Sequence, residues 1–306
     1  METINTALRQ VQRGETVTEG RLGMIPLLDP TAGEAHYLTL KEAMDRGECS
    51  VTEVSDSGSV PELNVVNTGK TPVLILDGEQ LLGAKQNRIV NLSIMLAPKS
   101  ETTIPVTCVE QGRWDPRPDE FKTSGNVMYQ KVRADKMRHV SAQMLKDEAP
   151  FADQGAVWGE IEGKSRRMNV RSSTDAMDSI FTQEKTRLDV FVKRCTPVEH
   201  QVGAVFALDG RECGVELFDA VSTWATFSPR LVRSWAVDAV EEGAPASRGR
   251  RTTVNLIERL CDGSWKVSPS LGVGWDARLA ANDVTCGALL VKDSLVHLAA
   301  FGDARS

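Results

Sequence analysis

RIVNLSIMLAPKSETTIPVTCVE, Arg88 to Glu110, decides how the chain is read, because it holds two alternating runs divided by a proline-bearing loop. Arg88, Val90, Leu92, Ile94 and Leu96 mark one face of the first run, and Ile104, Val106 and Cys108 mark one face of the second. A period of two is the signature of a strand buried on one side. Folding around Ala97 to Glu101 predicts an antiparallel ribbon with Leu96 opposite Thr102, Ile94 opposite Ile104, Val90 opposite Cys108 and Arg88 opposite Glu110. A slip of one residue would turn an apolar face to water.

Outward from this ribbon, Cys49 to Val54, Leu63 to Asn67 and Pro72 to Leu76 read as further short strands, with Leu38 to Met44 as a short helix among them. Residues 113 to 126, RWDPRPDEFKTSGN, carry two prolines and predict a surface loop. Three amphipathic helices are then expected. Met128, Val132, Val140 and Met144 stripe the first, Val157 and Ile161 the second, and Met177, Phe181, Leu188 and Phe191 the third, which starts at the cap-forming cluster Ser172 to Asp175.

Strands return in AVFALDGRECGVELF, where Asp209-Gly210 suits a two-residue hairpin turn. Ser228-Pro229 reads as a helix start running to about Val240, Glu241 to Arg251 as a connector, and Val254 to Leu260 as a short helix. ALLVKDSLVHLAAF reads as a last hairpin around Asp293-Ser294. The turn words of VLILDGEQLLG and VFALDGRECGV match, but Asp-Gly turns between apolar runs recur without common origin. The expected fold is α+β: an antiparallel β-sandwich core from residues 1–126 and 200–306, with a helical insertion at 127–199. The alternative is two consecutive domains divided near Arg113.

Composition narrows the class of function. The 306 residues are 41% apolar and 25% charged with a net charge of −6, which excludes a generally basic nucleic-acid coat and a disordered polar chain. No apolar run reaches the roughly 18 residues of a membrane span, and METINTALRQVQRGETVTEG lacks a secretory apolar core, so a cytoplasmic, non-membrane protein is expected. Six cysteines and four histidines are too scattered for a local metal motif or a redox pair, and no cofactor is read from any motif. His297 reads as a core or edge-strand histidine.

The densest polar constellation lies between Leu76 and Trp114. Arg88 and Glu110, opposed at the mouth of the ribbon, would bring a guanidinium to a carboxylate, with Glu79, Gln80, Gln86, Asn87, Gln111, Arg113 and Trp114 around them. As a site, Arg88 and Arg113 would hold a pyrophosphate and Trp114 would stack on a base. Gln80, Gln86 and Asn87 would read ribose hydroxyls, and Glu110 or Glu79 would act as general base or stabilise an electron-poor sugar carbon. As plain structure, the same residues form an ion pair closing the core under a hydrophobic tryptophan lid.

DGEQLLGAKQNR (Asp77 to Arg88), CVEQGRW (Cys108 to Trp114) and GVELFD (Gly214 to Asp219) resemble the bacterial family named for its association with ADP-ribosylglycohydrolases and the rhodanese-phosphatase superfamily. The resemblance runs along most of the chain and implies a role near NAD or ADP-ribose derivatives; it carries no reaction and no catalytic residue with it. Two functions are therefore expected as alternatives. One is binding or processing of an ADP-ribose-like or other nucleotide-derived small molecule in NAD-linked metabolism, and the other is a non-enzymatic interaction protein whose polar cluster is structural.

Overall fold

The computed structural model describes residues 2–55, 59, 61–114, 120–241, 255–280 and 283–302. In chain order the elements begin with α1 (Glu2–Gln10), β1 (Gln12–Arg13), β2 (Val17–Glu19) and β3 (Leu22–Leu28). They continue with β4 (Leu38–Thr39), α2 (Leu40–Asp45), β5 (Cys49–Glu53), β6 (Glu62–Asn67), β7 (Val73–Ile75), β8 (Glu79–Gly83), β9 (Arg88–Val90), β10 (Ile94–Leu96), β11 (Ser100–Cys108) and β12 (Phe121–Val127). Helices α3 (Gln130–Met144), α4 (Gln154–Arg167), α5 (Asp178–Gln183) and α6 (Lys185–Arg194) follow. The chain closes with β13 (Gln201–Leu208), β14 (Arg211–Phe218), α7 (Val221–Val240), α8 (Leu256–Cys261), β15 (Lys266–Pro269), β16 (Trp275–Ala280), β17 (Val284–Val291) and β18 (Ser294–Gly302). The class is mixed α and β with antiparallel sheets, β4 beside β7 being the parallel exception.

The contacts divide the chain into two units. A discontinuous one takes Met1–Ala35, Thr186–Pro269 and Gly274–Ser306, and an inserted one takes His36–Lys185 and Ser270–Val273. Residues 36–126 thus group with the helices that follow them, not with 200–306. The reason is a shared core: Val140 of α3 packs in one apolar cluster with Leu63, Val65, Leu81, Val90 and Val106 of the strands.

In the discontinuous unit nine strands form one sheet in the order β1-β3-β13-β14-β18-β17-β16-β15, with β2 on β3. Rows of facing residues such as Val205, Val215, Ala300, Cys286 and Leu279 give one face, which shares a core with Ile4 and Leu8 of α1 and Leu256 and Leu260 of α8. On the other face Trp235 of α7 stacks on Phe206 at 4.9 Å between ring centroids. Gly214 makes this possible, since a Cβ there would lie 2.1 Å from the Trp235 ring. The Asp209-Gly210 hairpin is present, with both residues at positive φ, as a tight two-residue turn requires. The last hairpin turns at Lys292-Asp293, one residue earlier than the sequence suggests, because Val291 pairs with Ser294.

Helix α7 begins at Val221 rather than at Ser228-Pro229, so Pro229 lies inside it. Burial of Trp224 and Phe227 in the preceding turns outweighs the backbone bond that a proline withholds. The expected third helix is two, α5 and α6, and Ser172 caps a turn by accepting from the backbone N–H of Ala176 at 2.9 Å. Most of the expected connector, 242–251, lies outside the described residues, as do 115–119 of the proline loop. The end of that loop is a strand: β12 pairs with β8, and Phe121 is fully buried.

The inserted unit holds a six-stranded sheet, β12-β8-β9-β11-β6-β5, and a three-stranded one, β10-β7-β4, whose apolar side chains meet in one cluster. The ribbon from Arg88 to Glu110 is only half realised. Val90 faces Val106 and Arg88 faces Cys108, a slip of two residues that keeps the expected face. Ile94 to Leu96 leave β11 altogether and pair with β7. The break is at Asn91–Ser93: Asn91 Oδ1 still accepts from Thr107 Oγ1 of β11 at 2.6 Å, whereas Ser93 Oγ accepts from the Asp77 N–H, just after β7, at 2.9 Å. Asp77-Gly78 closes no hairpin; it carries the chain from the three-stranded sheet to the six-stranded one. Among the described residues no helix is long and apolar enough to cross a membrane.

Candidate functional site

Two connections close one end of the six-stranded sheet: Ala84 to Asn87 between β8 and β9, and the residues after β11 from Val109 to Trp114. The Val109 N–H donates to the Asn87 carbonyl at 3.0 Å. Arg113 then ties both together. Its Nε and Nη2 donate to Glu110 Oε2 at 2.9 and 2.7 Å, Nη1 to the Ala84 carbonyl at 2.6 Å, and Nη2 also to Asn87 Oδ1 at 3.2 Å. Ala84 sits at φ +41, a left-handed conformation that a non-glycine residue holds only when its surroundings enforce it. The guanidinium on its carbonyl is one such constraint.

Glu110 is saturated. Besides Arg113, Oε2 accepts from the Asn87 N–H at 3.2 Å and Oε1 accepts from Thr174 Oγ1 at 2.8 Å. Burial pushes this carboxyl up, but the hydrogen bonds from Arg113, Thr174 and Asn87 outweigh it and hold it below the usual carboxylate range. A depressed carboxyl adds stability above its unfolded-state pKa and loses it as pH falls through the folded one. Chemical denaturation across an acid series should therefore show the wild type ahead of Glu110→Gln near neutrality, the gap narrowing below about pH 4.5. A gap constant with pH would remove the ionised Glu110 from the account of stability.

Arg88 does not meet Glu110. It lies on the core face of the sheet, fully buried beside Leu81 and Cys108, its cross-strand neighbours. Nη1 donates to Gln86 Oε1 at 3.3 Å, while among the described residues Nε and Nη2 have no hydrogen-bond partner. Among the described residues the carboxylate of Glu53, at the end of β5, comes to 3.9 Å from Nη2. Both Glu53 oxygens are likewise buried and, among the described residues, without a hydrogen-bond partner. Burial pushes the Arg88 guanidinium down, and Cys108 and Glu53 oppose it. Burial also pushes the Cys108 thiol up to about 11, so Cys108 is a thiol rather than a thiolate.

Trp114 covers this group. It is 50% exposed, and the Arg88 and Lys85 side chains lie over its ring at 5.9 and 5.6 Å from the centroid. Gln111 is exposed at the surface. Gln80 pairs across with Ile89, so it sits on the face opposite to Arg88; it is fully buried, and among the described residues neither polar atom of its side chain finds a hydrogen-bond partner. Glu79 is also fully buried and accepts from the Leu76 N–H at 3.3 Å. The structure therefore joins Asn87, Glu110 and Arg113 in a saturated knot, sets Gln86, Arg88 and Trp114 beside it, and leaves Gln80 and Gln111 apart. Glu53 was not legible as a member. Alternation along Cys49, Val51 and Glu53 does place it on a core face, but no local signal tells which strand lies across from it.

Two further polar groups explain motif residues structurally. Asp77 is paired by the buried Lys136 and by Arg133, whose Nη2 lies 3.4 Å away, and Gly78, at φ +77, leaves room for Arg133 where a Cβ would come within 2.9 Å. In the discontinuous unit the lone His297 has a partner in Glu216 of GVELFD, with Nε2 and Oε2 3.1 Å apart, both residues buried and the imidazole against Phe218. Among the described residues no three His, Cys, Asp or Glu side chains converge as metal ligands do.

The family model described as ARG and Rhodanese-Phosphatase-superfamily-associated Protein domain matches residues 10–301. The chain belongs to that family. The match spans both units of this member, and with them the Arg88 and His297 groups. No curated protein and no solved structure matches the chain.

Proposed function

We propose that the inserted unit binds an anionic, nucleotide-derived small molecule of the ADP-ribose class, with Arg88 as its anchor and Trp114 as its stacking surface. The observation that carries this is the state of Arg88. A guanidinium excluded from water with two donors unused among the described residues is costly, and the fork it offers fits phosphate or pyrophosphate oxygens. The half-exposed Trp114 ring lies beside it, its centroid 5.9 Å from the Arg88 guanidinium, and an indole face suits a base. ADP-ribose chemistry in NAD-linked metabolism is what the family resemblance implies, and a cytoplasmic setting belongs to the same proposal.

Glu110 serves in this reading as a frame, not a proton acceptor, because hydrogen bonds occupy both of its oxygens. Arg113 holds the Ala84–Asn87 loop that presents Gln86 to Arg88. The test is a thermal-shift panel with ADP-ribose, NAD, AMP and pyrophosphate. Stabilisation by ADP-ribose is expected, with affinity reduced about tenfold in Trp114→Ala. No shift with any of the four would leave the second reading, a non-enzymatic interaction protein with a structural polar cluster. The saturation of Glu110 is what favours that reading.

A further inference from the structure

Resting on that binding reading, we infer that Glu53 selects the sugar: its carboxylate accepts the vicinal hydroxyls of a ribose whose phosphate is held by Arg88. Both groups are built into the same end of the core face, and both carry unused hydrogen-bonding atoms of opposite kind. Among the described residues Glu53 Oε1 and Oε2 are acceptors without donors, and Arg88 Nε and Nη2 are donors without acceptors. Their 3.9 Å separation is too long for a direct hydrogen bond, so neither satisfies the other.

The chemistry of the occupant follows from that pairing. A bare phosphate or pyrophosphate would satisfy Arg88 but lie against the Glu53 carboxylate. An amine would suit Glu53 and be repelled by Arg88. A phosphorylated sugar offers oxyanions to one and hydroxyl donors to the other, and a cis-diol can engage both oxygens of one carboxylate. The side chain of Glu53 is 11% exposed, so water competes poorly for its oxygens and a missing hydroxyl is felt.

The experiment titrates the full-length wild type, Glu53→Gln and Glu53→Asp with ribose 5-phosphate, 2-deoxyribose 5-phosphate, ADP-ribose and inorganic pyrophosphate. The wild type should prefer ribose 5-phosphate over its deoxy counterpart by about tenfold or more. Glu53→Gln should lose that preference while binding pyrophosphate at least as well as the wild type. Glu53→Asp keeps the charge but withdraws it, so it should show reduced preference even where Glu53→Gln fails to fold. Equal wild-type affinity for the two sugar phosphates, or a preference that survives both substitutions, overturns the assignment of Glu53 alone. Absence of binding by all four compounds overturns this assignment and the binding reading together.

Discussion

Replacing Arg113 by alanine should lower the unfolding free energy by about 3–5 kcal/mol, the usual effect of leaving one member of a buried ion pair behind. Arg113 and Glu110 are each only 7% exposed at the side chain, and the guanidinium supplies the charge that holds the carboxylate ionised. Its removal leaves Glu110 with neutral donors from Asn87 and Thr174 and takes the donor from the Ala84 carbonyl at a left-handed position. Arg113→Lys keeps a charge but cannot reproduce the fork on Glu110, Ala84 and Asn87, so it should fall between wild type and alanine. Urea denaturation measures both. A loss under about 1 kcal/mol for alanine would show that the two connections are held by their apolar neighbours instead.

The second large effect runs the other way. Exchanging the Arg88 and Glu53 pair for Met and Leu should stabilise the protein by about 1–4 kcal/mol, because well-packed apolar groups avoid the desolvation that a poorly matched buried pair incurs. Arg88 lies among Leu81, Val90 and Val106, which can receive a methionine, and among the described residues its charge is met by a hydrogen bond from Nη1 to Gln86 at 3.3 Å, a carboxylate at 3.9 Å and the Trp114 ring at 5.9 Å. A stabilising exchange marks residues kept for what they bind rather than for what they hold up. Destabilisation by more than about 1 kcal/mol would instead make the pair a structural support.

The contrast between these two predictions also shows what was legible in the sequence. Alternation placed Arg88 on the core face correctly, since a slip of two residues preserves the face. It could not place the partner. Asn91 and Ser93 alternate like the outward residues of a continuous strand, and only their bonds to Thr107 and Asp77 reveal that the run divides between two sheets. The same limit applies to the Asp-Gly words. Asp209-Gly210 turns a hairpin, whereas Asp77-Gly78 changes sheets because Lys136 and Arg133, far along the chain, pair with its aspartate. Pro229 inside α7 and the strand at Phe121 are cases where burial overrode a local signal. Of the site, Glu110 takes Arg113, three residues on in CVEQGRW, in place of the expected Arg88, while Glu53 enters only through pairing across β5, β6 and β11.

Calorimetric titration of ADP-ribose into the wild type and into the protein carrying Arg88→Met with Glu53→Leu, side by side, tests the anchor role of Arg88 most directly. Saturable heat in the wild type, with no measurable binding in a doubly substituted protein that is folded and more stable, is the predicted result. Equal affinity in the two proteins would contradict it, because a ligand that ignores the loss of this buried guanidinium is held somewhere else.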